Sequence, residues 1–133
     1  MPVTMKRRGV LIDDALKKFF EKRNEINTAL LFGSFAKKRI TPHSDIDIGI
    51  LLKTYVAPPF EYVASLSVEL DKICERETDV IVLNQVSPHI AYRAISEGKI
   101  IFQRNQSFWS RFVVKTISMN EEMEILYAKV RHG

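Results

Sequence analysis

The sequence predicts a layered α/β or α+β fold, and three observations predict it. Short apolar runs suited to buried strands recur at 28–33, 45–52, 78–84 and 99–103. Segments with apolar residues at helical spacing separate most of them. Turn and cap residues punctuate the joins, with Pro42, Pro58, Ser87-Pro88 and Gly98 at the expected places. Pattern alone leaves strand order and direction open.

Residues 12–26 read as a helix, because Ile12, Leu16, Phe19 and Phe20 share one face. Asp13 and Asp14 precede Lys17 and Lys18, the order a helix dipole favours. "TALLFG" at 28–33 suits a buried strand, and a brief helix is expected from Ser34, ending before Pro42. In "DIDIGILL" at 45–52, Ile46, Ile48, Ile50 and Leu52 share one face, and Asp45, Asp47, Gly49 and Leu51 share the other. A loop at 53–59 leads to a helix over 60–76, with Val63, Leu66, Leu70 and Ile73 inward. "TDVIVLN" at 78–84 is a third strand. Ser87 and Pro88 start a helix that stops at Gly98, and "KIIFQ" at 99–103 is a fourth strand or a hydrophobic edge. From about residue 106 the chain is a helical tail. Its apolar residues group into a stripe at 109–116 and another at 119–130, and Ser118 with Glu121 makes a capping box, so a break near 118 is expected. The 119–130 stripe, with Tyr127, reads slightly more as core than as a docking face.

The 133 residues fit a single domain, and 46% hydrophobic with 27% charged residues is an ordinary globular balance. No apolar run approaches the length of a membrane span, and no signal-peptide pattern follows the basic start, so a cytoplasmic protein is expected. Cys74 is the one cysteine, expected to be a buried structural thiol. A net charge of +4 suits an anionic ligand such as a nucleotide but is too weak to argue for direct nucleic-acid binding. There is no Walker motif, the single cysteine and three histidines have no zinc spacing, and no base is marked for Ser34 as a nucleophile.

The informative stretch is "GSFAKKRITPHSDIDIGI", residues 33–50. Asp45 and Asp47 face the same way on a strand, roughly 6–7 Å apart. Two readings fit: a polar strand edge, or a divalent cation site in which the ion turns repulsion into binding. Gly33 permits close backbone approach to a ligand, and Ser34 adds a hydroxyl donor at a possible helix start, which suits phosphate. Asp79 opens the next strand and joins Asp45 and Asp47 if the two strands pair. Three carboxylates can hold two Mg²⁺ ions. Lys37, Lys38, Arg39 and His43 lie beside the motif and read first as solvated surface.

"GSFA" followed by "SDIDI" resembles the signature of the DNA polymerase β-type nucleotidyltransferase superfamily, over about residues 12–103. The length and Asp79 are similar to its minimal nucleotidyltransferases, known chiefly as antitoxins paired with HEPN-domain ribonuclease toxins. The resemblance implies a small mixed sheet flanked by helices, in one domain over 1–133. It implies that Gly33 and Ser34 hold nucleotide phosphates, that Asp45 and Asp47 ligate metal, and that Asp79 ligates one ion and helps activate the attacking hydroxyl. The implied cofactor is Mg²⁺, as two ions, with ATP as substrate. The implied reaction moves AMP to a tyrosine hydroxyl of a cognate HEPN toxin. Family members often have glycine where this chain has Lys38, so the turn after Ser34 is expected to end differently. Two other functions stay open: an antitoxin that inhibits by binding alone, and a small-molecule nucleotidyltransferase. The latter generally carries an extra substrate domain, for which this chain has little room.

Overall fold

The computed structural model describes residues 6–7, 10–33, 45–54, 56 and 59–132. The elements run β1 (Lys6–Arg7), β2 (Val10–Leu11), α1 (Ile12–Glu21), β3 (Ile26–Phe32), β4 (Ile46–Leu52), α2 (Pro59–Cys74), β5 (Thr78–Val82), α3 (Pro88–Glu97), β6 (Lys99–Gln103) and α4 (Gln106–His132). β1 and β2 form a short antiparallel ribbon. The four longer strands form one mixed sheet in the order β5-β4-β3-β6. β3 is antiparallel to β4 and to β6, whereas β4 and β5 are parallel. That parallel step needs a crossover long enough to return the chain to the same edge, and α2 supplies it.

Helices cover both faces of the sheet. On one face Leu16 and Phe20 of α1 and Leu66, Leu70 and Cys74 of α2 pack on Ile46, Ile48 and Ile50 of β4 and on Val80 and Val82 of β5. On the other, Leu30, Leu51 and Leu83 meet Ala94 of α3 and Phe108, Trp109 and Phe112 of α4. The side-chain period of two in β4 sends its isoleucines to the first face and Asp47, Gly49 and Leu51 to the second. Cys74 is buried, as its sequence setting predicts.

Two helix boundaries differ from the sequence reading. The first helix stops at Glu21 rather than 26, because Ile26 is already a strand residue paired with Leu52. The stop is held from a distance: the Arg104 guanidinium donates to the carbonyls of Phe20 (3.2 Å), Glu21 (3.3 Å), Arg23 (3.3 Å) and Ile26 (3.2 Å). Phe20 and Glu21 belong to the last turn of α1, where carbonyls run out of intrahelical partners. Buried Asn27 secures the same corner, donating to the Asn105 carbonyl at 3.1 Å and accepting from the Asn105 backbone N–H at 3.1 Å.

The second difference is at the C-terminus. α4 is one continuous helix of 27 residues, with Asn105 capping it by accepting from the Phe108 N–H at 2.9 Å. Ser118 lies inside the helix, so the expected break does not occur. Trp109, Phe112, Thr116, Met119, Met123, Leu126 and Val130 follow one another at alternating steps of three and four. The two stripes are therefore one seam of period 3.5, with no change of phase at 118. The distal part of that seam is not core: Leu126, Tyr127 and Val130 are exposed. Among the described residues no helix is long and apolar enough to cross a membrane.

Candidate active site

The acids gather where β4 and β5 begin. Two contacts fix the relative position of these strand starts. The Ile46 N–H donates to the Glu77 carbonyl at 3.0 Å. Asp71 of α2 accepts from both the Thr78 N–H (2.7 Å) and the Thr78 hydroxyl (2.6 Å). The parallel ladder that follows pairs Ile46 with Thr78 and Asp47 with Asp79. Paired residues on adjacent strands lie about 4.8 Å apart and point to the same face, so these carboxylates are neighbours. The pairing on which Asp79's membership depended is present.

Asp45 stands just ahead of β4 and is exposed, rather than being its first residue. Its charge still reaches Asp47. Burial pushes the Asp47 carboxyl above its ordinary range, and the negative charges of Asp79, Asp45 and Glu97 push it further. Glu97, the last residue of α3, is the acid that sequence reasoning missed. No local motif marks Glu97. It reaches the site because α3 packs on the same sheet face as Asp47 and ends beside it.

Gly33 comes next to Asp47 from the third strand. Phe32 is the antiparallel partner of Asp47, and the chain leaves β3 at Gly33 with φ of 68°. A Cβ at Gly33 would overlap Asp47 Oδ2 and stand 3.2 Å from Asp47 Cγ. Glycine is required twice over, by the left-handed backbone and by the carboxylate against it. Ser34, Lys37, Lys38, Arg39 and His43, together with the short helix expected after Ser34, lie outside the described residues.

The structure thus brings Gly33, Asp47 and Asp79 together, with Asp45 and Glu97 in the same electrostatic field. The donor set is of the kind Mg²⁺ takes, hard carboxylate oxygens, with the Gly33 backbone packed directly against one of them. Among the described residues no three acidic, histidine or cysteine side chains already form a closed cation cage. A cavity of about 510 Å³ lies elsewhere, at the far end of β4 beside Leu51, Leu83 and Met119.

With this geometry in view, residues 14–107 match the family described as polymerase beta, nucleotidyltransferase. The chain belongs to that nucleotidyltransferase family. Its fold is also that of several solved structures. A chain of the crystal structure of a toxin–antitoxin with AMP-PNP is 21% identical, with a TM-score of 0.80 over 90% of this chain and 95% of that one. The tri-AMPylated Shewanella oneidensis HEPN toxin in complex with MNT antitoxin gives 20% identity and a TM-score of 0.73, over 91% of this chain and 93% of that one. A variant of the MntA toxin–antitoxin complex gives 23% identity and a TM-score of 0.75, over 90% of this chain and 94% of that one. No curated protein matches the sequence closely. The nucleotidyltransferase of this family carries Asp47 and Asp79 in register and Gly33 against Asp47.

Proposed function

We propose that this chain is a cytoplasmic antitoxin that transfers AMP from ATP to a tyrosine hydroxyl of a HEPN toxin, working as a single domain with Mg²⁺. The observation that carries the reading is the in-register pair Asp47–Asp79 with Gly33 packed on Asp47. Membership of the nucleotidyltransferase family supports the reaction class. The neighbouring toxin–antitoxin structures, one with AMP-PNP and one with an AMPylated toxin, support the substrate and the acceptor.

In this reading Asp45, Asp47 and Asp79 would hold Mg²⁺, which would supply charge neutralisation for the triphosphate. Gly33 lets the backbone reach the phosphates, and Ser34 donates a hydrogen bond to them. Asp79, exposed and beside Asp47, faces the acceptor. A bond forms between the acceptor oxygen and the α-phosphorus, and the bond from that phosphorus to the β-phosphate bridging oxygen breaks. Pyrophosphate leaves. The hydroxyl proton passes to the Asp79 carboxylate and on to water. The protein contributes mainly positioning and electrostatics, as is general for such transfers.

Intact-mass spectrometry of the cognate toxin tests the proposal. After mixing with ATP and Mg²⁺, the toxin should gain one or more AMP units that survive denaturation, and Asp47→Asn should remove the gain. An unchanged toxin mass with toxicity still blocked at equal stoichiometry means inhibition by binding and defeats the reading.

A further inference from the structure

The proximal seam of α4 is covered, by α3 and by the sheet. α3 runs beside α4 only as far as its own first turn. There His89 Nδ1 lies 3.3 Å from Asn120 Oδ1 and 4.0 Å from Glu124 Oε1. Met119, just before that contact, is 41% exposed, and past it the seam continues into solvent: Leu126 is 58% exposed and Val130 74%, with Tyr127 beside them at 51%. A strict seam of period 3.5 is the pattern of a helix that packs on another helix, not of one that ends in water.

We propose that the distal half of α4 is the contact between two copies of this chain, packed antiparallel about a two-fold axis between residues 124 and 125. A two-fold contact requires a surface complementary to itself. In this register Met119 meets Val130 of the second copy and Met123 meets Leu126, so all four apolar members form layers. Glu122 and Lys129 flank the seam on the same side, and each Glu122 falls opposite Lys129 of the other copy, twice by symmetry. A parallel pairing places Glu122 opposite Tyr127 and makes no such ion pair. The end of the contact also has an apolar floor, since Met119 lines the cavity beside Leu83 and Phe112. Residues 119–130 span only about 18 Å, so the dimer is reversible and concentration-dependent. This surface is independent of the nucleotidyl-transfer reading, because it lies at the opposite end of the sheet from Asp47.

Sedimentation of the isolated chain over a concentration series is the test, with circular dichroism as the control for folding. The wild type should shift toward twice the mass of one chain as concentration rises, and Leu126→Lys should stay monomeric. Glu122→Lys and Lys129→Glu should each weaken association roughly tenfold, since each turns two attractive pairs into repulsive ones. Mixed together, the two charge variants should recombine into a dimer as strong as the wild type, because every pair is attractive again. All three positions are exposed, so the substitutions leave the fold intact. A monomer at every concentration, a dimer indifferent to Leu126→Lys, or charge variants that do not recombine would each overturn the proposal.

Discussion

The two faces of β4 differ more than their shared backbone suggests. Ile46, Ile48 and Ile50 are all 0% exposed and cluster with apolar side chains of α1, α2 and β5. The opposite face runs from Asp47 through Gly49 to Leu51, from charge to close packing in five residues. Gly49 is small because a Cβ there would press on Leu83 at 3.1 Å and Leu30 at 3.2 Å. The difference teaches that stability and chemistry are separated by side-chain parity on one strand. The first face holds the sheet at its working geometry, and the second tolerates an unfavourable carboxylate only at its end.

Substitutions on the two faces should therefore fail in different ways. The largest effect is expected from Asp47→Asn, which should cut transfer at least about a thousandfold, about 4 kcal/mol of transition-state stabilisation. The fold should survive. Toxin AMPylation measured beside circular dichroism checks this, and wild-type turnover would show that Asp47 does not hold metal. Ile48→Ala should do the reverse. It should remove about 3 kcal/mol of stability by leaving a cavity, while activity per folded molecule stays near normal. Denaturant melts alongside activity measured well below the midpoint separate the two, and a loss of activity without loss of stability would break the comparison.

Gly33→Ala should come next. Left-handed backbone costs an L-residue about 1–2 kcal/mol, and the new methyl must displace Asp47. ATP affinity should fall together with the melting temperature, as titration and thermal unfolding would reveal. An unchanged affinity would mean that the β3 exit does not hold nucleotide.

The smallest effect concerns pH. Asp47 has a folded-state pKa raised by burial first and by Asp79, Asp45 and Glu97 next. Between its ordinary value and the raised one, the folded state holds more proton than the unfolded state. Metal-free stability attributable to this group is thus lost as pH rises through the raised value. Asp47→Asn lacks that loss. In metal-free buffer the variant should gain on the wild type from acidic to neutral pH, and Mg²⁺ should narrow the gap by favouring the wild-type carboxylate. Parallel pH curves for the two proteins would argue against the crowding of charge around Asp47.

Much of this was legible in the sequence because it is local. Alternation gave β4 its two faces, Ser87-Pro88 marked the start of α3, and "KIIFQ" is β6 residue for residue. The Asp47–Asp79 neighbourhood needed one further condition, parallel pairing of two strands, which pattern leaves open. What escaped is non-local or a matter of counting. Glu97 carries no motif, and its approach to Asp47 depends on how α3 packs. The seam of α4 looks like two stripes until the step from Thr116 to Met119 is seen to be three. The end of α1 was misplaced because the residue that stops it is far along the chain.

That residue, Arg104, ties the carbonyls of Phe20 and Glu21 across separations of 84 and 83 positions. During synthesis the first helix is complete long before its clamp exists. At about 5–20 residues per second, the interval is roughly 4–17 s. Over the same interval β3, the inner strand, has one side open, since β6 is made last. The nascent chain thus presents an unpaired strand edge next to an unfastened helix until the sheet's final strand leaves the ribosome, and that interval is its window of exposure to mispairing and to chaperones.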